Sequence, residues 1–221
     1  MTGSMSVVAL VEDDESVCRA LARVIRCAGY RVDAYPSAME FLEHVGGRSD
    51  LGCLVLDVHL PDLSGLQVQR ELAEAGVVLP IVFISGDGNV PAIVMAIRGG
   101  AEDFLIKPVD DTGLLDAIGR AVMRSAKLRA QTAEQNAILE RIGQLTTRER
   151  EVLQGVLTGH LNKQIASELG ITEKTIKHYR AHVMDKLGAH CVAHLFQLAH
   201  MAGLTELAGA RHDEPDRDFR A

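Results

Sequence analysis

The sequence predicts an α/β domain with a five-stranded, doubly wound parallel sheet, followed by an all-α domain. In the first half, short apolar runs alternate with stretches of helical spacing, which is the pattern of repeated βα units. One run, Leu51–Leu56, is apolar throughout, as expected of a strand buried on both faces. Beyond Leu145 no strand pattern recurs. A chain of 221 residues is long enough for two such domains.

The elements of the first domain follow one another in a regular order, and several helices end at glycine. Five βα units in about 120 residues predict a sheet with the strand order 2-1-3-4-5. The predicted strands are Val7–Val11, Arg31–Ala34, Leu51–Leu56, Pro80–Ile84 and Asp103–Ile106. The predicted helices are Glu15–Ala28, Ser37–Val45, Leu66–Ala75, Val90–Arg98 and a last one that Asp110 or Asp111 caps and that runs to about Met123.

The second half reads as helices throughout. Ser125–Gly143 is polar and favours helix; a solvated helical linker explains it better than a coiled coil, because its apolar heptad positions are few. Four short helices follow: Thr147–Leu157, Asn162–Leu169, Glu173–Leu187 and Cys191–Met201. We therefore expect domains at 5–125 and 144–203, a linker at 126–143 and a polar tail at 204–221, in which Arg211–Ala221 is expected to be mobile.

Charge and composition limit the classes of function. The net charge is −7, but residues 144–203 carry +2 and six of the nine histidines, a weakly basic block that does not establish DNA binding by its charge alone. No apolar stretch approaches the roughly 18 residues of a membrane span, and no secretory leader precedes the first strand. The four cysteines lack metal-site spacing, which favours buried free thiols in a reducing compartment. We expect a cytoplasmic protein without a membrane partner.

Residues suited to phosphate or metal chemistry follow four of the predicted strands. Asp13 and Asp14 follow the first strand, Asp57 the third, Ser85 the fourth and Lys107 the fifth. In an open parallel sheet the carboxyl ends of the strands form the ligand-binding edge. Each feature alone has a plain structural explanation, such as a helix cap. Together they predict an aspartate that accepts a phosphoryl group.

The chemistry of such a site assigns a role to each residue. Asp57 is the expected nucleophile, and a cation must offset the repulsion between its carboxylate and the phosphoryl donor. Mg²⁺ suits this role, because it takes oxygen ligands and retains several waters. The expected ligands are Asp14 and Asp57 directly, Asp13 through water and the main-chain carbonyl of His59. The Lys107 ammonium and the Ser85 hydroxyl are expected to contact phosphoryl oxygens.

Four segments of the first domain resemble the receiver domain of two-component response regulators, a flavodoxin-like fold. They are VEDDE (Val11–Glu15), LDVHLPDLSG (Leu56–Gly65), FISGDG (Phe83–Gly88) and DFLIKP (Asp103–Pro108). The resemblance implies that Asp57 takes its phosphate from a histidine kinase, that Ser85 and Phe104 form a switch pair, and that a cis bond joins Lys107 to Pro108. His59 and Asp87, on the rim of the site, are expected to tune the lifetime of the phosphate.

Two of the short helices, joined by a turn at Gly170, form a predicted helix-turn-helix. Spacing alone leaves an ordinary helical bundle equally open. Leu145–Leu153, Asn162–Ile165 and Thr175–Leu187 resemble the LuxR-type module, which places the chain with the FixJ/NarL class. Tyr179 stands where many members have histidine, so base preference does not carry over. The expected DNA contacts are Asn162, Thr172, Lys174, Thr175, Lys177, His178 and Arg180.

The whole chain therefore resembles a phosphorylation-dependent DNA-binding transcriptional regulator. The expected partners are a cognate histidine kinase, double-stranded promoter DNA, RNA polymerase and a second copy of the chain, paired on phosphorylation or on DNA. The resemblance implies that the last helix pairs two LuxR-type modules on DNA, with Cys191, Leu195, Leu198 and Ala199 in or beside the interface. Two alternatives remain: a regulator that acts through protein contacts without phosphorylation, and a Mg²⁺-dependent aspartyl-phosphate hydrolase, for which neither a second general acid on the acceptor loop nor a cap domain is evident.

Overall fold

The computed structural model describes residues 6–204, which divide into two compact units between Arg129 and Ala130. The segment expected to be mobile, Arg211–Ala221, lies outside the described residues. The strands of the first unit are β1 (Val7–Val11), β2 (Arg31–Tyr35), β3 (Leu51–Asp57), β4 (Ile81–Ser85) and β5 (Asp103–Ile106). Its helices are α1 (Glu15–Cys27), α2 (Ala38–Val45), α3 (Gly65–Glu74), α4 (Val90–Arg98) and the first part of α5 (Asp111–Gly143).

The five strands form one parallel sheet in the order β2-β1-β3-β4-β5, which confirms the predicted topology. The register places Val11 beside Leu56 and Ser85 beside Ile106. Because the strands are in step, β1, β3, β4 and β5 end at the same edge of the sheet. Asp57 and Ser85 are the last residues of β3 and β4, and Lys107 directly follows β5, so these residues lie at this edge.

Alternate residues of the strands pack into separate cores on the two faces of the sheet. Odd-numbered residues of β1 join α2, α3 and α4 on one face, where Phe41 and Phe83 are fully buried. Even-numbered residues of β1 join α1 and α5 on the other face, around Ile25 and Ile118. This two-sided burial explains why the central strands read as continuous apolar runs.

Helix α5 continues without interruption from Asp111 to Gly143. The predicted end of this helix at about Met123 is wrong, because no glycine or proline lies between Gly119 and Gly143 to stop it. Its middle part is exposed, as a solvated helical linker should be. Ile138 and Ile142 near its end are buried in the core of the second unit.

The second unit is built from the end of α5 and four short helices. These are α6 (Thr147–Leu157), α7 (Asn162–Leu169), α8 (Glu173–Leu187) and α9 (Val192–Met201). Thr146 and Glu149 form a capping box at the start of α6. Helix α7 ends at Gly170, whose φ of 66° lies in the left-handed region that glycine adopts without strain. Thr172 then caps α8, so only three residues separate the two helices.

Within residues 6–204 no helix is both long and apolar enough to cross a bilayer. All four cysteines are free. Cys53 is buried and Cys18 half-buried, but Cys27 and Cys191 are exposed, so the prediction of buried thiols fails for those two. Burial raises the pKa of the Cys53 thiol, which keeps it protonated and unreactive.

Candidate functional site

The ends of β1, β3 and β5 bring two carboxylates and an ammonium into direct contact. The Lys107 Nζ lies 2.5 Å from Asp57 Oδ2 and 2.7 Å from Glu12 Oε2. Glu12 and Asp57 are almost completely buried, with 1% and 4% of their surface exposed. The second oxygen of Asp57 accepts a hydrogen bond from the main-chain N–H of His59. The Asp57 carboxylate is thus held in a fixed orientation at the edge of the sheet.

Burial and charge act in opposite directions on this group of residues. Burial raises the pKa of Glu12, and the nearby Asp57 carboxylate raises it further, although the hydrogen bond from Lys107 lowers it. Burial alone lowers the pKa of Lys107, but its bonds to Asp57 and Glu12 outweigh burial and raise it. Lys107 therefore stays protonated, and its single positive charge offsets part of the negative charge of Glu12 and Asp57.

The structure corrects the predicted role of the paired aspartates. The carboxylate of Asp14 caps α1, accepting hydrogen bonds from the N–H groups of Ser16 and Val17 and from the Ser16 hydroxyl. These bonds, that of the Ser16 side chain foremost, lower its pKa. Among the described residues, Asp14 is not part of the group of acids that lie close enough together to share a metal ion. The acidic group at Asp57 therefore contains a different acid in place of the predicted direct ligand.

Glu12 is that acid, and the sequence argument missed it. One oxygen each of Glu12, Asp13 and Asp57 lie within 4.8 Å of one another, the one such group among the described residues. Three carboxylate oxygens so placed fit the ligand preference of Mg²⁺. The missed signal was the strand end itself, because Glu12 is the first residue after β1 and its side chain faces the edge occupied by Asp57.

Ser85, one residue of the predicted switch pair, lies at the same edge, fully buried at the end of β4. Its hydroxyl donates a hydrogen bond to Asp87 Oδ1 at 2.9 Å and accepts one from the Asp87 N–H at 3.3 Å. His59 Nδ1 lies 3.5 Å from the same hydroxyl oxygen and 3.9 Å from Asp87 Oδ1. Phe104, the other switch residue, is half-buried, with its ring centroid 6.2 Å from that of Phe83.

Gly65 packs closely against the loop that follows Asp57. The N–H of Gly65 bonds to the carbonyl of Val58, and a Cβ at Gly65 would lie 2.4 Å from the main-chain oxygen of Asp57. Only glycine fits this close approach. The peptide bond between Lys107 and Pro108 is cis, as the resemblance implied.

In the second unit, α8 presents a row of polar side chains to solvent. Lys174, Lys177 and His178 are exposed, whereas Ile176, Val183 and Leu187 are buried against α6 and α7. The hydroxyl groups of Thr172 and Thr175 are hydrogen-bonded to each other at 2.8 Å at the start of α8. Three of the expected DNA contacts, Lys174, Lys177 and His178, are therefore exposed on this helix.

Two predicted DNA contacts are bonded to each other in the structure. Arg180 donates to Asn162 Oδ1 at 2.6 Å, which ties the first turn of α7 to the middle of α8. A second tie is ionic: Lys186 Nζ lies 2.6 Å from Glu149 Oε2 on α6. The side-chain bond from Lys186 and the capping bonds from Thr146 lower the pKa of Glu149 to about 2. These contacts fix the position of α8 relative to its two neighbours.

The residues expected at an interface on α9 mostly lie in the core. Leu195, Leu198 and Ala199 are between 2% and 8% exposed, because they face the other helices of the second unit. They stabilise the fold of the domain rather than offering a free surface. Cys191 is exposed and caps the helix through its Sγ. Val192 and Met201 are the exposed large apolar residues of this helix.

Comparison with known proteins agrees with both halves of this description. Residues 8–119 match the response regulator receiver domain, and residues 143–202 match the bacterial regulatory proteins of the luxR family. The response regulator protein TodT of Pseudomonas putida is 41% identical over 198 residues, covering 90% of this chain and 87% of TodT. Nodulation protein W of Bradyrhizobium diazoefficiens is 42% identical over 210 residues, covering 95% and 90%. The transcriptional regulatory protein FixJ of Rhizobium meliloti is 37% identical over 194 residues, covering 88% and 95%.

Solved structures show the same pair of domains. The response regulator StyR superposes with a TM-score of 0.78 at 39% identity, covering 89% of this chain and 98% of that one. Full-length FixJ from B. japonicum superposes with a TM-score of 0.55 at 34% identity, covering 90% and 98%. A receiver domain implies a histidine kinase as partner and an acidic pocket for Mg²⁺, and a LuxR-type domain implies DNA. The chain belongs to the two-component response regulators that join a receiver domain to a LuxR-type DNA-binding domain, a family of transcriptional regulators.

Proposed function

We propose that Asp57 accepts a phosphoryl group from a histidine kinase and that the resulting aspartyl phosphate changes dimerisation and promoter binding. The observation that carries this proposal is the placement of the Asp57 carboxylate. It is buried at the end of β3, between two other acids and the Lys107 ammonium. A nucleophilic carboxylate needs this combination of fixed orientation and nearby positive charge.

The residues around Asp57 divide the work of the transfer. An Asp57 oxygen attacks phosphorus and the donor's bond to phosphorus breaks, with Lys107 stabilising the charge on the phosphoryl oxygens. Glu12, Asp13 and Asp57 would hold Mg²⁺, together with the main-chain carbonyl of His59. The ion supplies positive charge that offsets the repulsion between the acceptor and the incoming phosphoryl group. Asp14 keeps its capping role and takes no part.

The phosphate would then favour a conformation that the receiver already visits. The Ser85 hydroxyl turns to a phosphoryl oxygen, and the Phe104 side chain moves inward. Phosphate can shift this equilibrium only by its differential interaction with the two states; a change from 1:99 to 99:1 takes about 5.5 kcal/mol. The half-buried position of Phe104 supports its assignment as the moving side chain. We assign the Ser85 hydroxyl and Lys107 to the same phosphoryl group.

Helix α8 is the element that we assign to the major groove. Lys174, Lys177, Thr175 and His178 would reach phosphates or base edges from its outward face. Asn162 at the start of α7, Thr172 at the start of α8 and Arg180 in the middle of α8 would contact the DNA backbone. Two copies on a twofold axis would read half-sites about one helical turn apart. RNA polymerase is the expected further partner at the promoter.

The test is incubation of the full chain with acetyl phosphate and Mg²⁺, followed by mass spectrometry of its peptides. An adduct on Asp57 is expected, and it should be absent from Asp57→Asn but present in Asp116→Asn, which changes an exposed aspartate on α5. DNA duplexes selected from a random-sequence pool then provide a probe for fluorescence anisotropy. Binding that is tightened by the adduct supports the proposal. Equal binding by wild type and Asp57→Asn under phosphorylating conditions favours a regulator that works through protein contacts alone.

A further inference from the structure

The Ser85 hydroxyl is already committed to a partner in this structure. It donates its one proton to Asp87 Oδ1 at 2.9 Å, and its oxygen accepts the Asp87 N–H at 3.3 Å. Ser85 is fully buried, whereas the Asp87 side chain is 57% exposed on the loop after β4. The serine is shielded from bulk solvent, and Asp87 supplies the nearer of its two side-chain partners, since His59 Nδ1 lies 3.5 Å from the hydroxyl oxygen.

A hydroxyl group has a single proton to donate. While that proton is bonded to Asp87, it is not available to a phosphoryl oxygen on Asp57. The rearranged state must therefore break the bond between Ser85 and Asp87 before the serine can contact the phosphate. We propose that Asp87 is a positioning residue that holds Ser85 in the unphosphorylated arrangement and so keeps the basal population of the active state low.

This inference rests on the proposed function, because it assumes that Ser85 contacts the phosphoryl group. It adds a chain-specific device to that function: a carboxylate that competes with the phosphate for one proton. His59, whose Nδ1 lies 3.9 Å from Asp87 Oδ1, is within reach of the released carboxylate. The bond is made to a charged acceptor, which makes it stronger than one between neutral groups.

Asp87 also carries a negative charge, and charge alone would oppose an incoming phosphoryl group. Two variants separate the charge from the hydrogen bond. Asp87→Ala removes both, whereas Asp87→Asn removes the charge and keeps an amide oxygen that accepts the serine proton. Ser85→Ala removes the hydroxyl, so in that background the change of Asp87 to alanine reports the charge alone.

The experiment is calorimetric titration of the full-length chain with beryllofluoride in excess Mg²⁺, for wild type, the three single variants and the Ser85→Ala/Asp87→Ala double variant. The apparent dissociation constant of a ligand rises as the fraction of competent protein falls. Asp87→Ala should therefore bind beryllofluoride about tenfold more tightly than wild type, the scale of one hydrogen bond to a partly exposed charged group. Asp87→Asn should bind with an affinity between those of wild type and Asp87→Ala, because its amide oxygen keeps a weaker, neutral hydrogen bond to the serine. In the Ser85→Ala background the alanine change should have a much smaller effect than in wild type, because only the charge of Asp87 is then removed.

Three results would overturn the assignment of Asp87. They are equal affinities for wild type and Asp87→Ala, equal gains for the alanine and asparagine variants, or an undiminished gain in the Ser85→Ala background. Failure of the proposed function gives a different result: wild type itself neither binds beryllofluoride nor forms an adduct on Asp57. In that case both proposals fall, whereas a wild type that responds isolates the failure to Asp87.

Discussion

Replacement of Glu149 by glutamine should destabilise the second unit at neutral pH but not at low pH. Glu149 is 3% exposed and connects α6 with α8 through Lys186, while the same oxygen, Oε2, accepts the N–H and the hydroxyl of Thr146. Glutamine has nearly the same shape and keeps an acceptor for the cap, but it has no charge for Lys186. The perturbation therefore removes the ion pair with Lys186 and the more distant contact with His182, whose Nδ1 lies 3.9 Å from Glu149 Oε1, and it leaves the packing in place.

The pKa of this carboxyl gives the size of the effect. A decrease from 4.5 to about 2 on folding corresponds to roughly 3 kcal/mol of stability. Lys186 is about one-third exposed, so solvent and salt weaken its attraction, and we expect a loss near 2 kcal/mol at pH 7. Because the folded-state pKa is the lower one, this contribution is complete above about pH 4.5 and disappears as the pH falls through about 2.

Hydrogen exchange resolved to the peptides of α6 and α8 gives free energies of opening for the second unit alone. The difference between wild type and Glu149→Gln should be largest near pH 7 and approach zero near pH 2. Glu151→Gln is the matched control, because among the described residues the half-buried Glu151 pairs with Arg148 of the same helix and joins no other element. A difference that stays constant over this pH range, or an equal effect of the control variant, would refute the electrostatic explanation.

Two further predictions concern buried charge and packing. Lys107→Ala leaves two buried acids without their cation. The free energy of unfolding of the first unit, measured with urea, should therefore fall by about 3 kcal/mol in EDTA and recover in part with Mg²⁺. Replacement of the exposed Lys127 by alanine should have little effect. A Cβ at Gly155 would lie 2.8 Å from Ile165 Cγ1, so Gly155→Ala should cost about 1 to 3 kcal/mol in hydrogen-exchange protection of the second unit. A Cβ at Gly119 on α5 would have no atom within 4 Å. Gly119→Ala should therefore stabilise the first unit by about 1 kcal/mol, which a rise in its thermal midpoint would show. Opposite signs at these two glycines are the expected result, and a shared sign would count against the packing argument.

The sheet was predictable because its pattern has few solutions. Five apolar strands separated by amphipathic helices leave one common order for a doubly wound sheet, and the structure has that order. The bounds of α6, α7 and α8 also agree with the prediction, because a cap residue or a glycine marks both ends of most of these segments. The end of α5 was not predictable in this way. A domain boundary within a continuous helix carries no breaker, so Met123 and Arg129 look alike in sequence.

The interface predicted on α9 shows a different limit. An apolar residue on a short helix has the same appearance whether it packs within its own domain or against a second copy. Leu195 and Leu198 are buried in the core of the second unit, which is small and takes most of the apolar side chains of the helix. Only Val192 and Met201 remain as large apolar side chains on the exposed part of the helix. A dimer through α9 would therefore rest on these positions, not on the leucines.

The misplaced metal ligand arose because two rules compete for the same residues. Glu12, Asp13 and Asp14 are consecutive acids between a strand and a helix, and the sequence offers each of them as a ligand or as a cap. The start of α1 decides the matter, since the residue before Glu15 must satisfy the free N–H groups of the first turn. Asp14 does so through Oδ1, and it lies outside the acidic group that Glu12, Asp13 and Asp57 form. Counting back from the cap rather than forward from the strand leaves Glu12 and Asp13 for the acidic pocket, which is the arrangement that the structure has.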